Sequence, residues 1–131
     1  MQENIYSGRA GEFFAAYVLE SMGLRTVHVG LPHDDLWVKT PENEHICVQV
    51  KSSRGPHDRK DRIKESLIYS FQVNKGGRLK FYNGIFMFVA LDKQLCFAQR
   101  WDDNPPRTYK LTPMRFSKEA QVNSIKREFK I

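Results

Sequence analysis

The first half of the chain changes from a helical to a strand-like hydrophobic pattern. From 7 to 22, apolar residues recur at three- and four-residue steps, which predicts an amphipathic helix that ends at Gly23. A short strand is predicted at 25 to 29, and the apolar run at 36 to 38 is a second strand candidate. Residues 45 to 51 then alternate strictly between two faces, so we expect them to form a β-hairpin with the preceding strand.

The second half predicts three more strands and a second helix. Residues 67 to 73 alternate as a strand, although a helix also fits part of this stretch, and we expect a strand preceded by a short helical turn. The continuous apolar run from 85 to 91 predicts a strand buried on both faces, paired with 95 to 99. Ser117 is placed to cap a final helix with an inward stripe at Val122, Ile125 and Phe129.

The resulting order, α-β-β-β-(α)-β-β-β-α, predicts the fold class. It indicates an α/β or α+β fold with a central mixed β-sheet of about five strands flanked by helices. No internal repeat or linker rich in Pro, Gly or Ser divides the chain, so residues 1–131 are expected to form a single domain.

Polar residues on the hairpin are the first candidates for chemistry. If the hairpin closes with Thr40 opposite Glu44, then Asp35 stands opposite Gln49. Gln49 and Lys51 lie two residues apart on one face, with Cα atoms about 6.6 Å apart. This spacing predicts that the three side chains Asp35, Gln49 and Lys51 converge on one small object such as a hydrated ion and its water.

Two further acids lie near this hairpin. Glu12 shares a helix face with the apolar residues Ala15, Ala16 and Leu19, although a first-turn glutamate leaning into solvent is the alternative interpretation. Asp34 and Asp35 both lie close to the hairpin. Both could approach the ion, and only one need do so. We choose Asp35 as the residue at the ion because it directly precedes the apolar strand, and interpret Asp34 as a turn residue.

The net charge of +6 is localised along the chain. Residues 51 to 80 contain nine basic and three acidic side chains, whereas the remaining residues contain twelve of each sign. A local basic excess is typical of a surface that neutralises phosphates, so a nucleic acid is the expected partner, although many cytosolic domains are basic without binding one. Within it, Arg54, Arg59, Lys60 and Arg62 follow the hairpin strand and are expected to contact phosphates, with a solvated loop as the alternative.

Cysteine usage and hydropathy indicate the compartment. Cys47 and Cys96 lie in separate apolar runs and are predicted to be free buried thiols in a reducing environment. No stretch approaches the roughly 18 apolar residues of a membrane span, and the N-terminus lacks the pattern of a signal peptide. We therefore expect a soluble, intracellular, cytoplasmic protein without membrane partners. Trp37, in a strand, is predicted to belong to the core.

Together these motifs resemble a known superfamily. A helix with Gly11-Glu12, a strand opening with Asp35-Leu36-Trp37-Val38, and the sequence ICVQVKSS at 46 to 53 resemble the PD-(D/E)XK nucleases over residues 8 to 53. That superfamily includes restriction enzymes, Holliday-junction resolvases and some homing endonucleases. The resemblance implies a restriction-endonuclease-like fold.

The resemblance also implies roles for the four candidates. Asp35 and Gln49 would hold Mg²⁺, for which Mn²⁺ can substitute, Glu12 would support the metal site, and Lys51 would align or deprotonate the attacking water. Mg²⁺ prefers oxygen ligands and keeps several waters, which agrees with this set. Ser52 and Ser53 would bond a phosphate or a water, unless they are solvated loop hydroxyls.

Gln49 departs from the usual motif because it is a neutral amide where a carboxylate is expected. Its carbonyl oxygen can still ligate a metal, so this QXK version predicts a Mg²⁺-dependent DNA endonuclease that hydrolyses phosphodiester bonds by water attack. A catalytically inactive nucleic-acid-binding module of the same fold is the alternative, and an interaction domain with an acidic protein partner is a third hypothesis. Because duplex cleavage needs two sites, we expect a homodimer or higher homo-oligomer.

Overall fold

The structure, a computed structural model, describes residues 2–58 and 67–131, with side chains of the first helix described from Ser7 onward. These two described ranges contain two helices, eight strands and two short 3-10 turns: α1 (Gln2–Ser21), β1 (Arg25–His28), β2 (Leu36–Lys39), β3 (His45–Ser53), β4 (His57–Asp58), β5 (Leu67–Gln72), a 3-10 turn (Lys75–Gly77), β6 (Ile85–Ala90), β7 (Leu95–Gln99), β8 (Thr108–Leu111), a 3-10 turn (Pro113–Arg115) and α2 (Lys118–Phe129). Within the described residues, no helix is both long enough and apolar enough to cross a membrane.

Five strands form the central sheet, in the order β1-β2-β3-β6-β7. β3 and β6 pair in parallel, while the other three pairings are antiparallel, so the sheet is mixed. α1 packs on β3 and α2 packs on β7. The predicted α+β architecture, with a mixed sheet of about five strands flanked by helices, is confirmed.

A second, three-stranded sheet was not predicted as a separate sheet. It has the order β4-β5-β8 and covers the face of the central sheet that the helices leave open. The predicted strand at 67 to 73 therefore lies in this sheet and not in the central one. β4 has two residues and β8 buries only Leu111, so neither has the alternation that identifies a strand in a sequence. The helical turn expected before β5 lies outside the described residues.

β6 is buried on both faces, as its continuous apolar run predicts. One face, with Ile85, Met87 and Val89, packs in an aliphatic cluster with the helices. The other face, with Phe86 and Phe88, packs in an aromatic cluster with the second sheet. β3 lies directly beside this fully buried strand, so its ladder position is held by both clusters.

α1 approaches β3 very closely at Gly11. A Cβ built on Gly11 would overlap the hydroxyl of Ser52 and lie only 2.9 Å from its Cβ. Only glycine allows this approach, because any larger residue would push the helix away from the strand. The contact brings the adjacent Glu12 towards the same end of β3.

Two predictions about side-chain burial need correction. Trp37 is not a core residue, because 45% of its surface is exposed. It lies on the exposed face of β2, between the buried Leu36 and Val38. Cys96 is fully buried and Cys47 is half-buried, and both thiols are free.

Candidate active site

The hairpin register places Asp35 beside β3, as predicted. Leu36 pairs with Val48, and Thr40 N–H donates to Glu44 O at 2.9 Å, so the next position brings Asp35 opposite Gln49. The Asp35 carboxylate then accepts a hydrogen bond from Val50 N–H at 2.7 Å through Oδ2. This bond fixes the carboxylate against the edge of β3 at the point where β2 leaves it.

Gln49 presents a buried oxygen that lacks a partner. Its side-chain carbonyl, Oε1, is buried and accepts no hydrogen bond from any described residue. Leaving such a group unsatisfied costs about 1–3 kcal/mol, so it needs an explanation such as an ion or an ordered water. Gln49 and Lys51 lie on the β3 face opposite to the buried Val48, which is also the face that carries Cys47.

Lys51 and Glu12 are electrostatically linked through Asp35. Burial lowers the pKa of the Lys51 ammonium, and the nearby Asp35 carboxylate partly opposes this shift. Burial raises the pKa of Glu12, the charge of Asp35 raises it further, and Arg9 lowers it. The structure therefore brings Glu12, Asp35 and Lys51 within electrostatic reach of one another, although Glu12 comes from the helix layer.

The donor set of this site is oxygen-rich but small. It offers the carboxylates of Glu12 and Asp35 together with the amide oxygen of Gln49. In the part of the chain that the structure describes, no group of three or more His, Cys, Asp and Glu side chains is arranged around a common point. The set therefore fits a hard cation that takes few protein ligands and keeps several waters, rather than a fully enclosed metal.

Asp34 has a different surrounding from Asp35. Its carboxylate accepts hydrogen bonds from Tyr82 OH at 2.8 Å and from Trp37 Nε1 at 3.1 Å. Burial raises the pKa of Asp34, but hydrogen bonds from Trp37, Tyr82 and Cys47 outweigh it and leave the pKa lowered. Both Asp34 oxygens are thus engaged by the protein. The sequence did not predict this hydrogen bond to Tyr82, because no local pattern indicates a partner 48 positions away.

The predicted phosphate-contacting residues fall in different places. Ser52 lies on the helix-facing side of β3, where its buried hydroxyl meets Gly11 and has no hydrogen-bond partner among the described residues. Ser53 Oγ donates to Gly55 O at 2.9 Å and accepts from Gly55 N at 3.3 Å, so it stabilises the turn after β3. Arg54 is exposed. Arg59, Lys60 and Arg62 lie outside the described residues, and their roles stay predictions.

A cleft opens beside Gln49 on the side away from α1. Its volume is about 380 Å³, and its walls include His33, Gln49, Lys75 and Arg78. Lys75 and Arg78 belong to the basic segment of the sequence, but nothing in their local pattern indicated that they face the hairpin. The pair Gly76-Gly77 between them indicates a turn, and both glycines have positive φ, but a turn signal does not show which element the turn faces.

Comparison with known proteins gives a structural match only. No protein-family model matches the chain, and no curated protein matches it in sequence. Among solved structures, it is similar to the bacterial homing endonuclease I-Ssp6803I, with a TM-score of 0.55 and 13% sequence identity, over 90% of this chain and 83% of that chain. The chain therefore has a nuclease-like α+β fold.

Proposed function

We propose that the chain is a metal-dependent DNA endonuclease of the PD-(D/E)XK type, with Glu12, Asp35, Gln49 and Lys51 as its active site. The observation that carries this proposal is the buried, unpartnered carbonyl oxygen of Gln49 opposite a carboxylate fixed by Val50 N–H. A purely structural hairpin has no reason to keep such an oxygen unsatisfied. The fold shared with a homing endonuclease supports the same conclusion.

Asp35 and Gln49 would hold Mg²⁺ or Mn²⁺, with Glu12 supporting the site. When bound, the ion supplies positive charge that stabilises the negative charge developing on the scissile phosphate. The residues fit this group because the amide oxygen of Gln49 needs a partner. Burial, and after it the charge of Asp35, raises the pKa of Glu12, and a cation would also relieve the repulsion between these two carboxylates.

Lys51 is the residue that would align or deprotonate the attacking water. Burial shifts its ammonium towards the neutral amine by lowering its pKa, so it releases a proton more easily than an exposed lysine. It lies opposite Phe88 of the buried strand β6, and this ladder holds the lysine backbone in place. The Asp35 carboxylate favours the charged ammonium and so opposes part of the shift that burial causes in the pKa of Lys51.

The test is cleavage of supercoiled plasmid, single-stranded DNA and a four-way junction in Mg²⁺, Mn²⁺ or EDTA. We expect cutting in either ion, none in EDTA, and a loss of about a hundredfold or more in Asp35→Asn and Lys51→Met. Lys39→Met is the matched control because Lys39 is an exposed lysine on the neighbouring strand. Cutting by the wild type in EDTA, or unchanged rates in both site variants, would refute the proposal.

A second function, an inactive nucleic-acid-binding module, is favoured by the low negative charge of the site. Gln49 is neutral, and the described residues provide no triad of metal-binding His, Cys, Asp or Glu side chains. In that case the wild type binds DNA without cutting it in any ion. Gln49→Glu restores the missing charge, so cleavage that appears only in this variant would identify a nuclease site that has lost its activity.

Cleavage of both strands of a duplex by this single small site requires two copies, so we propose a homodimer or higher homo-oligomer on DNA. Sedimentation of the protein with and without a duplex measures this directly. A stable monomer that makes double-strand breaks would contradict it.

A further inference from the structure

The loop after β5 is a rigid element that projects two cations. Residues 74 to 79 turn through Gly76 and Gly77, with φ of 80° and 66°. Asn74 is buried and holds both ends of the loop, since its Oδ1 accepts from Leu79 N at 2.9 Å and its Nδ2 donates to Leu79 O at 2.9 Å. The same amide donates to Pro105 O at 3.2 Å. A loop fixed in this way loses little conformational freedom when it binds a ligand.

The charges on this loop are all of one sign. Lys75 and Arg78 are exposed, line the cleft, and form no ion pair with another described residue. The guanidinium of Arg107 packs against the same turn, with its Nε 3.0 Å from the place where a Gly77 Cβ would lie. No carboxylate is found among the described residues that line the cleft. The cleft is therefore a local positive site next to Gln49.

We infer that Lys75 and Arg78 bind backbone phosphates of the DNA strand that flanks the scissile phosphate. This inference rests on the proposed nuclease function and names the substrate surface of the same site. Both cations are exposed at the rim, which suits a polyanion that passes across the surface rather than a small anion enclosed by buried donors. A cleft of about 380 Å³ has room for a short segment of one strand but not for a duplex.

The same cations explain how a strand would reach the hydrolytic residues. Gln49 forms part of the cleft wall, so a backbone seated on Lys75 and Arg78 passes beside the Gln49 carbonyl oxygen. His33, from the loop before β2, also lines this cleft, and an imidazole N–H can donate to a phosphate oxygen. These contacts involve phosphates and carry no base information, so they position the strand and do not select its sequence.

The experiment measures DNA binding in EDTA, so that it does not depend on cleavage. The probes are a short duplex and a single strand of mixed sequence, titrated between about 50 and 200 mM salt. We expect Lys75→Ala/Arg78→Ala to weaken binding about ten- to a hundredfold at low salt and to lower the slope of log K against log salt by about two. The matched control is Lys118→Ala/Lys126→Ala, which removes two exposed charges from α2.

The outcomes separate this inference from the nuclease proposal. A loss of slope in the loop variant but not in the α2 variant supports the inference, even if the wild type cuts nothing. Equal slopes in the two double variants, or no binding of either probe by the wild type, would overturn it. Thermal melts of both double variants are run beside the titrations, and Lys75→Gln/Arg78→Gln replaces the alanine pair if that pair melts early.

Discussion

The close contact between α1 and β3 makes Gly11→Ala a sharp test of how Glu12 is positioned. The new Cβ would overlap Ser52 Oγ and lie 2.9 Å from Ser52 Cβ. Rotation of the serine hydroxyl removes the first clash but not the second. The helix must therefore move away from the strand, and Glu12 must move with it.

The magnitude follows from two opposing effects. Alanine is a better helix former than glycine by about 1 kcal/mol, whereas overpacking a close contact costs about 1–3 kcal/mol. A Cβ added at Gly8, in the same helix, would have no atom within 4 Å, so Gly8→Ala keeps the helical gain without the clash. We expect Gly8→Ala to raise the free energy of unfolding, and Gly11→Ala to fall below it by about 1–3 kcal/mol.

Urea unfolding of both variants measures this difference, and plasmid cleavage measures its effect on the site. Adding Ser52→Gly to Gly11→Ala removes the clashing side chain, so the double-mutant cycle should show a favourable coupling energy. If Gly11→Ala is as stable as Gly8→Ala, or if Ser52→Gly gives no coupling, the close approach is not a determinant of the helix position.

Three further predictions concern groups outside this contact. Glu12→Gln should raise the free energy of unfolding near neutral pH, because the raised pKa of Glu12 means that its ionisation costs stability as pH rises. Below about pH 4, where the carboxyl is protonated in both the folded and the unfolded state, chemical unfolding should give the same stability for the variant and the wild type. A variant that is less stable than the wild type at neutral pH would contradict this. Ser117→Ala should lose about 0.5–2 kcal/mol because its hydroxyl accepts from Ala120 N at 3.0 Å at the start of α2, whereas Ser117→Asp should retain most stability in the same assay. A thiol reagent should modify Cys47 well before Cys96, whose burial raises its pKa to about 12, and Cys47→Ala should remove the fast phase; equal rates would contradict the assigned burial.

The parts of the fold that follow from local patterns were predictable. The spacing between Thr40 and Glu44 predicted the hairpin register and the position of Asp35 opposite Gln49, because a short loop and a strict alternation leave few alternatives. The continuous apolar run at β6 likewise predicted a strand covered on both faces. The second sheet was not predictable in this way, since β4 and β8 are short and their pairing with β5 is decided only by tertiary contacts.

The rest of the site depends on contacts between residues distant in sequence. Asp34 looked like an ordinary turn residue, and its hydrogen bond to Tyr82 exists only because the segment before β6 crosses the hairpin. The sequence predicted Trp37 as a core residue because strand aromatics usually are, but nearly half of its side chain is exposed. Lys75 and Arg78 line the same cleft as Gln49 because of where β5 ends in the fold, and no periodicity in the sequence predicts that position.

The hairpin loop between β2 and β3 fixes the register of the two strands at the site. A slip of β2 along β3 by one residue would turn the buried Leu36 and Val38 of β2 away from the core, so the core opposes it. A slip by two residues keeps every side chain on its own face, so the alternation of apolar and polar residues does not exclude it. The three-residue loop that ends at Asn43, which has a φ of 73°, excludes the two-residue slip because it fixes Thr40 opposite Glu44. This loop lies about 17 Å along the strand from Asp35, whose carboxylate it aligns. Among registers that keep the same faces, loop length thus selects the one in which Gln49 lies opposite Asp35.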